Sequence, residues 1–513
     1  MTKTLTDITD YAEATSAFSW DRVWDLFDGN KERLNIAHEC VDRHPDRADA
    51  LRIKFEDGHT EIHSFGVLKD ISSRFANLLE AKGIARGDRV AVMVNPSLEF
   101  YGCMFGAMKR GAVAVPLFTL FGPEALALRL DDCKPKMIVV EPDYDMGEAA
   151  RPDLVVLRAG ADLRAQLAGQ GAHYVPDTAT NDLAFFQYTS GTTRALPEAI
   201  RHTHRAVVTL MVAALFGVGH KPGDRYFSPS SPAWGHGLSH STISPLALGI
   251  AVGSYSGKFD VVRIFEALQE FEITNFAAAP TVFRMMRNSG LVKNYRYTLK
   301  KISFTGEPMD TATFDFITAA FGTPPCSMFG TTEVGAIIGS FPGFTGFTVK
   351  RGALGRPLPG CEVGVLDDSG NPCPTGQTGE LMLKRRGAWF PVKDRGFCDE
   401  DGYIFHAGRS DDVIISAGWT MSAVEIEDVL LKHPDIREAA VIGVPDKVRG
   451  LIPKAFIVSP RRGTEFEDEI KAFMKDRLSK HEYPRSIAFV AELPKTPAGK
   501  VNRKALRDMV AAG

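Results

Sequence analysis

The chain has 513 residues, of which 44% are hydrophobic and 24% charged, with a formal net charge of −3. That length exceeds what one growing hydrophobic core accommodates, so two or more domains are expected, while the composition excludes a disordered chain and the charge balance excludes a basic nucleic-acid binder. The opening residues lack the apolar core of an export signal, and the longest apolar stretches, such as 207–217, fall short of the roughly 20 residues that span a bilayer. A cytoplasmic protein without integral membrane association is therefore expected.

Between residues 60 and 290, short β-rich runs alternate with longer helical patterns. The clearest strands fall at 89–94, 111–116, 137–140 and 274–279, an alternation that predicts α/β layers. Gly and Pro close several runs, as at Ala279-Pro280 and Gly306-Glu307-Pro308, the positions past strand ends where α/β sheets commonly bind ligands. From about 350 to 407, short strands and frequent turns predict a compact β-rich subdomain. After Gly408-Arg409-Ser410-Asp411-Asp412, helix, strand, strand and helix patterns at 423–431, 439–442, 454–458 and 465–478 predict a small α+β domain. Seven cysteines, at 40, 103, 133, 326, 361, 373 and 398, form no C-x-x-C pair and are expected as reduced thiols. Cys103, in an apolar segment, reads as a core residue.

Chemistry concentrates in a few segments. The apolar run Phe185-Phe186-Gln187-Tyr188 ends in Thr189-Ser190-Gly191-Thr192-Thr193. Small residues there let backbone N–H groups approach anionic oxygens, hydroxyls add donors, and the next helical pattern is expected to offer its positive end. Alone, such a turn is more often structural than phosphate-binding. It is joined, in order, by Gly306-Glu307-Pro308, Phe329-Gly330-Thr331-Thr332-Glu333, Gly379-Glu380-Leu381, Asp394 before Asp399-Glu400-Asp401-Gly402-Tyr403, the segment Gly408 to Asp412, Glu425-Ile426-Glu427, and Pro494-Lys495-Thr496-Pro497-Ala498-Gly499-Lys500.

In that order, from about residue 35 to 505, these motifs resemble the adenylate-forming superfamily of acyl-CoA synthetases, aryl-CoA ligases, peptide-synthetase adenylation domains and luciferases. The resemblance implies an α/β fold with a large N-terminal AMP-binding domain over 1–408, a hinge at 409–412 and a small mobile α+β domain over 413–513. It implies ATP, coenzyme A and a carboxylic acid as substrates, with Mg2+ as cofactor. Thr189 to Thr193 would cradle phosphates, Thr332 would contact the α-phosphate, and Glu333 would hold the metal through carboxylate oxygen, the hard ligand magnesium prefers. Adenine would lie between Gly306-Glu307-Pro308 and the ring of Phe329, beside Gly330 and Thr331. Asp394 would accept hydrogen bonds from the ribose hydroxyls, with Arg409 completing the contacts. Lys500 would act on the carboxylate and α-phosphate, Asp411 would serve as the hinge, and Gly418-Trp419 would line the path of coenzyme A. Trp234 and Gly235, in the segment Ser231 to Leu238, would border the acyl group, and the surrounding residues look closest to medium-chain and benzoate-type ligases, which suggests an apolar aliphatic or aromatic acid.

Two departures bear on activity. The family usually continues its phosphate loop with Gly-x-Pro-Lys-Gly, whereas this chain reads Arg194-Ala195-Leu196-Pro197-Glu198-Ala199, so glycine and lysine give way to Arg and Glu. Arg194 or Arg201 could supply the missing cation. Thr420 stands where acetyl-CoA-type relatives carry arginine. Two other functions therefore stay open: adenylation for transfer to a carrier protein, weakened because no phosphopantetheine-bearing domain follows residue 513, and a non-catalytic nucleotide or acyl-CoA sensor.

Overall fold

The computed structural model describes residues 3–188, 199–331, 334–409, 414–416, 419–421, 423–446, 450–475, 483–496 and 501–512. Contacts divide the chain into two compact units. One comprises Met1–Phe304 with Phe341–Phe347 and Leu358–Gly360, and the other Thr305–Ser340 with Thr348–Pro357 and Cys361–Gly513.

The first unit holds two six-stranded arrays of the same design, five parallel strands closed at one edge by an antiparallel partner. In one, the spatial order is Val155–Arg158, Met137–Val140, Arg89–Met93, Val113–Pro116, Leu183–Tyr188 and Ala199–Thr203, with only the last pair antiparallel. The expected strands at 89–94, 111–116 and 137–140 are these central ones. Their continuous apolar runs reflect burial on both faces, since Val90, Val92, Val115, Ile138 and Val140 are all buried. The other array runs Thr60–Ser64, Asp49–Phe55, Val252–Ser256, Tyr226–Phe227, Asn275–Ala278 and Lys301–Phe304, antiparallel only at the Thr60 edge. Val113, Val115, Leu126, Leu130, Ile138 and Phe186 belong to one packed core around the first array.

The second unit carries seven antiparallel strands in the order Glu362–Leu366, Gly379–Arg385, Ala388–Cys398, Ile404–Arg409, Ala353–Pro357, Gly335–Gly339 and Pro325–Thr331. This is the β-rich texture expected from residue 350 onward, extended backward by the hairpin from Pro325 to Gly339. The same unit contains the small α+β assembly, in which Ala423–Leu430 and Thr464–Lys475 pack on a sheet built around Glu438–Asp446 and Gly450–Val458. Sequence patterns missed the parallel strand Ser486–Phe489 beside Gly450–Val458 and the final helix Arg503–Ala512. Asp428 of the first helix receives hydrogen bonds from the backbone N–H and hydroxyl of Thr311, at the start of the helix Thr311–Phe321. Among the described residues no helix is long and apolar enough to cross a membrane.

Helices Phe65–Ala81 and Leu98–Arg110 pack together in the first unit and enclose a charge. The Lys109 ammonium is fully buried, 2.6 Å from the Asp42 carboxylate and 3.0 Å from the Ser73 hydroxyl. Removing one member of such a pair strands the other in low dielectric. Lys109→Met is expected to cost about 3–5 kcal/mol in urea unfolding, and adding Asp42→Asn should recover part of that loss.

Candidate active site

In the first unit, the segment expected to cradle phosphate joins Leu183–Tyr188 to Ala199–Thr203, which pair antiparallel with Tyr188 opposite Ala199. The segment leads into a strand, and the expected apolar helix, Ala206–Val212, begins beyond His202-Thr203-His204. The residues Ala199-Ile200-Arg201-His202-Thr203 extend because they close the sheet edge, a tertiary preference that local pattern did not disclose.

Both ends of this hairpin converge on one carboxylate. The Tyr188 hydroxyl lies 2.7 Å from Asp132 Oδ2, and the Ala199 N–H donates to the same oxygen at 3.2 Å. Asp132 belongs to the helix Pro123–Cys133, whose Arg129 carbonyl also lies 3.0 Å from that hydroxyl. The Arg129 guanidinium stacks 3.7 Å over the Phe121 ring, and burial lowers its pKa from the usual value. Arg201, a candidate replacement cation, stands exposed on the second strand with its guanidinium 5.4 Å from the Phe186 ring.

The segment bearing Trp234 and Gly235 leads into a π-helical stretch, His236–Ile243. Both residues are partly buried, so Trp234 is not a fully enclosed core residue. A Cβ at Gly235 would lie 3.5 Å from Gln187 Oε1, which places this segment against the strand Leu183–Tyr188. Gln187 is 2% exposed and His236 5%, yet Gln187 Nε2 and both His236 ring nitrogens have no hydrogen-bond partner among the described residues. Orphaned donors and acceptors of this kind are costly in a finished core and ordinary in a binding site. In the sequence His236 stands out only as part of its segment, and nothing there gives Gln187 or Asp132 a role.

Trp234 and His236 have ring centroids 5.5 Å apart, and His236 and His240 are 5.8 Å apart. Desolvation holds the His236 imidazole well below its ordinary pKa and lowers His220 and His240 from 6.5 to about 4.

In the second unit, Phe329, Gly330 and Thr331 end the strand Pro325–Thr331. Gly330 is dictated by space, since a Cβ there would lie 1.9 Å from the Gly335 carbonyl oxygen of the adjoining strand. Gly306 begins the turn Gly306-Glu307-Pro308 with φ +102°, a conformation suited to glycine. Asp394 is buried, opposite Arg409 in the register of strands Ala388–Cys398 and Ile404–Arg409. His406 Nε2 lies 2.8 Å from Asp394 Oδ1, and the imidazole is 5.8 Å from the Phe329 ring between centroids. The fold thus brings together Phe329, Asp394 and the backbone of Arg409, three of the expected nucleotide residues, and adds His406.

Thr189, Ser190, Gly191, Thr192, Thr193, Arg194, Thr332, Glu333, Asp411, Gly418 and Lys500 lie outside the described residues, and Arg409, Trp419 and Thr420 are described by backbone only. Among the described residues no three His, Cys, Asp or Glu side chains gather as a metal site. Magnesium bound through a single carboxylate and the nucleotide's own phosphates requires no such group.

The buried histidines predict the pH dependence of stability. Imidazoles that titrate at 6.5 when unfolded and near about 4 in the folded chain leave the unfolded state with more bound protons between those values. Their contribution should be complete above pH 6.5 and lost as pH falls toward 4. Urea midpoints across pH 4–7 should show this slope, and His220→Gln should reduce it by up to about one proton.

Residues 37–389 match the family model described as AMP-binding enzyme, and residues 425–500 match that of the AMP-binding enzyme C-terminal domain. The chain is 29% identical to the acetyl-coenzyme A synthetase of Bacillus subtilis (strain 168), over 98% of this chain and 95% of that protein. It is 31% identical to a mitochondrial acyl-coenzyme A synthetase of Rattus norvegicus, over 86% of this chain and 83% of the relative. The crystal structure of the anthranilate CoA ligase AuaEII in complex with anthranoyl-AMP superposes with a TM-score of 0.85 at 26% identity, covering 95% of this chain and 100% of that one. The chain belongs to the AMP-binding enzyme family, among its acyl-CoA synthetases.

Proposed function

We propose that the protein is an ATP-dependent carboxylic acid:CoA ligase acting on an apolar aliphatic or aromatic acid. The observation that supports this most is the grouping of buried Asp394, the Phe329 ring and the Arg409 strand in one unit, at the positions where the family binds its nucleotide. In the first half-reaction a carboxylate oxygen attacks the α-phosphorus of ATP, forming acyl-AMP and releasing pyrophosphate. In the second, the thiol of coenzyme A attacks the acyl carbon and AMP departs with the bonding electrons.

On this reading Asp394 orients the ribose, Phe329 and the turn Gly306-Glu307-Pro308 enclose adenine, and Thr189 to Thr193 with Thr332 receive phosphate oxygens. Lys500 stabilises charge on the carboxylate and α-phosphate during adenylation. Magnesium, held by Glu333, would offset the repulsion between the reacting anions. The domain boundaries 1–408, 409–412 and 413–513 then acquire a role: rotation about Asp411 withdraws Lys500 and presents Gly418-Trp419 to coenzyme A. The acyl group would lie along Trp234 and Gly235, where Gln187 Nε2 and the His236 nitrogens offer polar atoms for its carboxylate.

The substitutions Arg194 and Glu198 favour one rival, a nucleotide or acyl-CoA sensor, because they exchange the usual order of charge beside the phosphates. Incubation with ATP, magnesium and a panel of acids separates these readings. Acid-dependent pyrophosphate release with thioester formation is expected, whereas AMP binding without pyrophosphate release by any acid would establish the sensor, and release without consumption of coenzyme A would indicate a carrier-protein acceptor. Lys500→Ala should slow acyl-AMP formation by at least roughly 10²-fold, about 2.7 kcal/mol, while sparing thioester formation from supplied acyl-AMP.

A further inference from the structure

The carboxylate assigned to the ribose is itself held in place, by a residue that no motif of the sequence marks. Asp394 and His406 stand on neighbouring antiparallel strands whose register runs Asp394 opposite Arg409, Arg395 opposite Gly408, then Gly396 opposite His406. Ala407 is the extra residue of a β-bulge. In a regular ladder Gly396 would face Ala407, and His406 would project from the side of the sheet opposite to Asp394. The bulge reverses this, because residues directly opposite share a face, and Gly396 shares its face with Asp394 two positions earlier. Bulges of this kind re-aim side chains beside functional sites.

Local features fit that reorientation. Gly396 carries no side chain to stand between the two residues, and a Cβ there would meet the Phe405 carbonyl oxygen at 2.4 Å. Lys393, just before Asp394, adopts φ +66°, a left-handed conformation uncommon for a residue other than glycine and concentrated at functional sites. The resulting His406 Nε2 to Asp394 Oδ1 contact of 2.8 Å joins side chains that are 13% and 7% exposed. A carboxylate only accepts, so Nε2 carries the proton. His406 Nδ1 has no partner among the described residues, which makes Asp394 the polar contact that fixes the ring. On its other side the imidazole packs against Phe329, the ring assigned to adenine.

We propose that His406 is the positioning residue of the nucleotide site: it anchors Oδ1 of Asp394 so that Oδ2 meets the ribose diol, and it sets the spacing between the ribose carboxylate and the Phe329 ring. This rests on the reading of Asp394 as the ribose acceptor. It gives His406 no part in the bond-making steps, and it predicts a loss confined to nucleotides that carry ribose hydroxyls.

Calorimetric binding of AMP and of 2′,3′-dideoxy-AMP tests it without requiring turnover. His406→Phe keeps a ring against Phe329 and deletes the donor, and should weaken AMP by about tenfold while changing dideoxy-AMP by less than about twofold. His406→Gln, whose amide N–H can reach the same carboxylate, should restore most of the AMP affinity. Equal weakening of both nucleotides by His406→Phe, or no weakening of either, would overturn the positioning role. Wild-type protein that bound the two nucleotides equally would remove the ribose assignment of Asp394 and the proposal with it, while acid-dependent pyrophosphate release would still stand as a separate test of the ligase reading.

Discussion

Joining a carboxylate to the α-phosphorus of ATP forces two anions to bonding distance, and at the effective dielectric of a protein surface two like charges 4 Å apart repel by about 4 kcal/mol. A site that performs this step must hold both anions rigidly and supply positive charge at the reacting centre without neutralising it in advance. The proposed nucleotide residues divide that work. A carboxylate suits the uncharged ribose better than the phosphates, and the proposed ribose acceptor Asp394 is buried against His406, which itself packs on Phe329. On the proposed reading, positive charge falls to Lys500, the magnesium ion and whichever of Arg194 and Arg201 meets the outgoing phosphates.

The strand ends that flank the proposed phosphate loop are fixed within the first unit. The loop joins two strands whose facing ends, Tyr188 and Ala199, are tied to one carboxylate oxygen of Asp132. A hairpin pinned in this way fixes where its loop begins and ends even when residues within the loop differ from those usual in the family. On the proposed reading, the small hydroxyl residues Thr189 to Thr193 would bind phosphate through geometry more than through net charge.

The parts legible in the sequence were those encoded locally. Val90, Val92, Ile138 and Val140 lie in runs apolar on both faces, which betrays central parallel strands, and turn residues betrayed the β-rich segment after residue 350. Asp394, Phe329 and Arg409 stand out in the sequence because their motifs fix residue type and spacing together. The parts not legible depend on pairings distant in sequence. Nothing near Asp132 indicates that it meets a hairpin more than fifty residues later. His406 faces Asp394 only because a single-residue bulge at Ala407 shifts the register, and such a shift cannot be inferred from alternation alone. The strand Ala199–Thr203 was missed for a related reason, since its consecutive polar residues Arg201, His202 and Thr203 suit a sheet edge only once its partner is known.

The most direct test of the acyl-adenylate tracks an oxygen atom. An acid that supports pyrophosphate release, labelled with 18O in its carboxylate, is incubated with the protein, ATP, magnesium and coenzyme A, and the AMP is examined by mass spectrometry. Attack of the carboxylate on the α-phosphorus leaves one carboxylate oxygen on phosphorus when the thiol displaces AMP, so AMP carrying a single 18O atom is expected. Thioester formed alongside unlabelled AMP, or label recovered in orthophosphate with formation of ADP, would contradict the account.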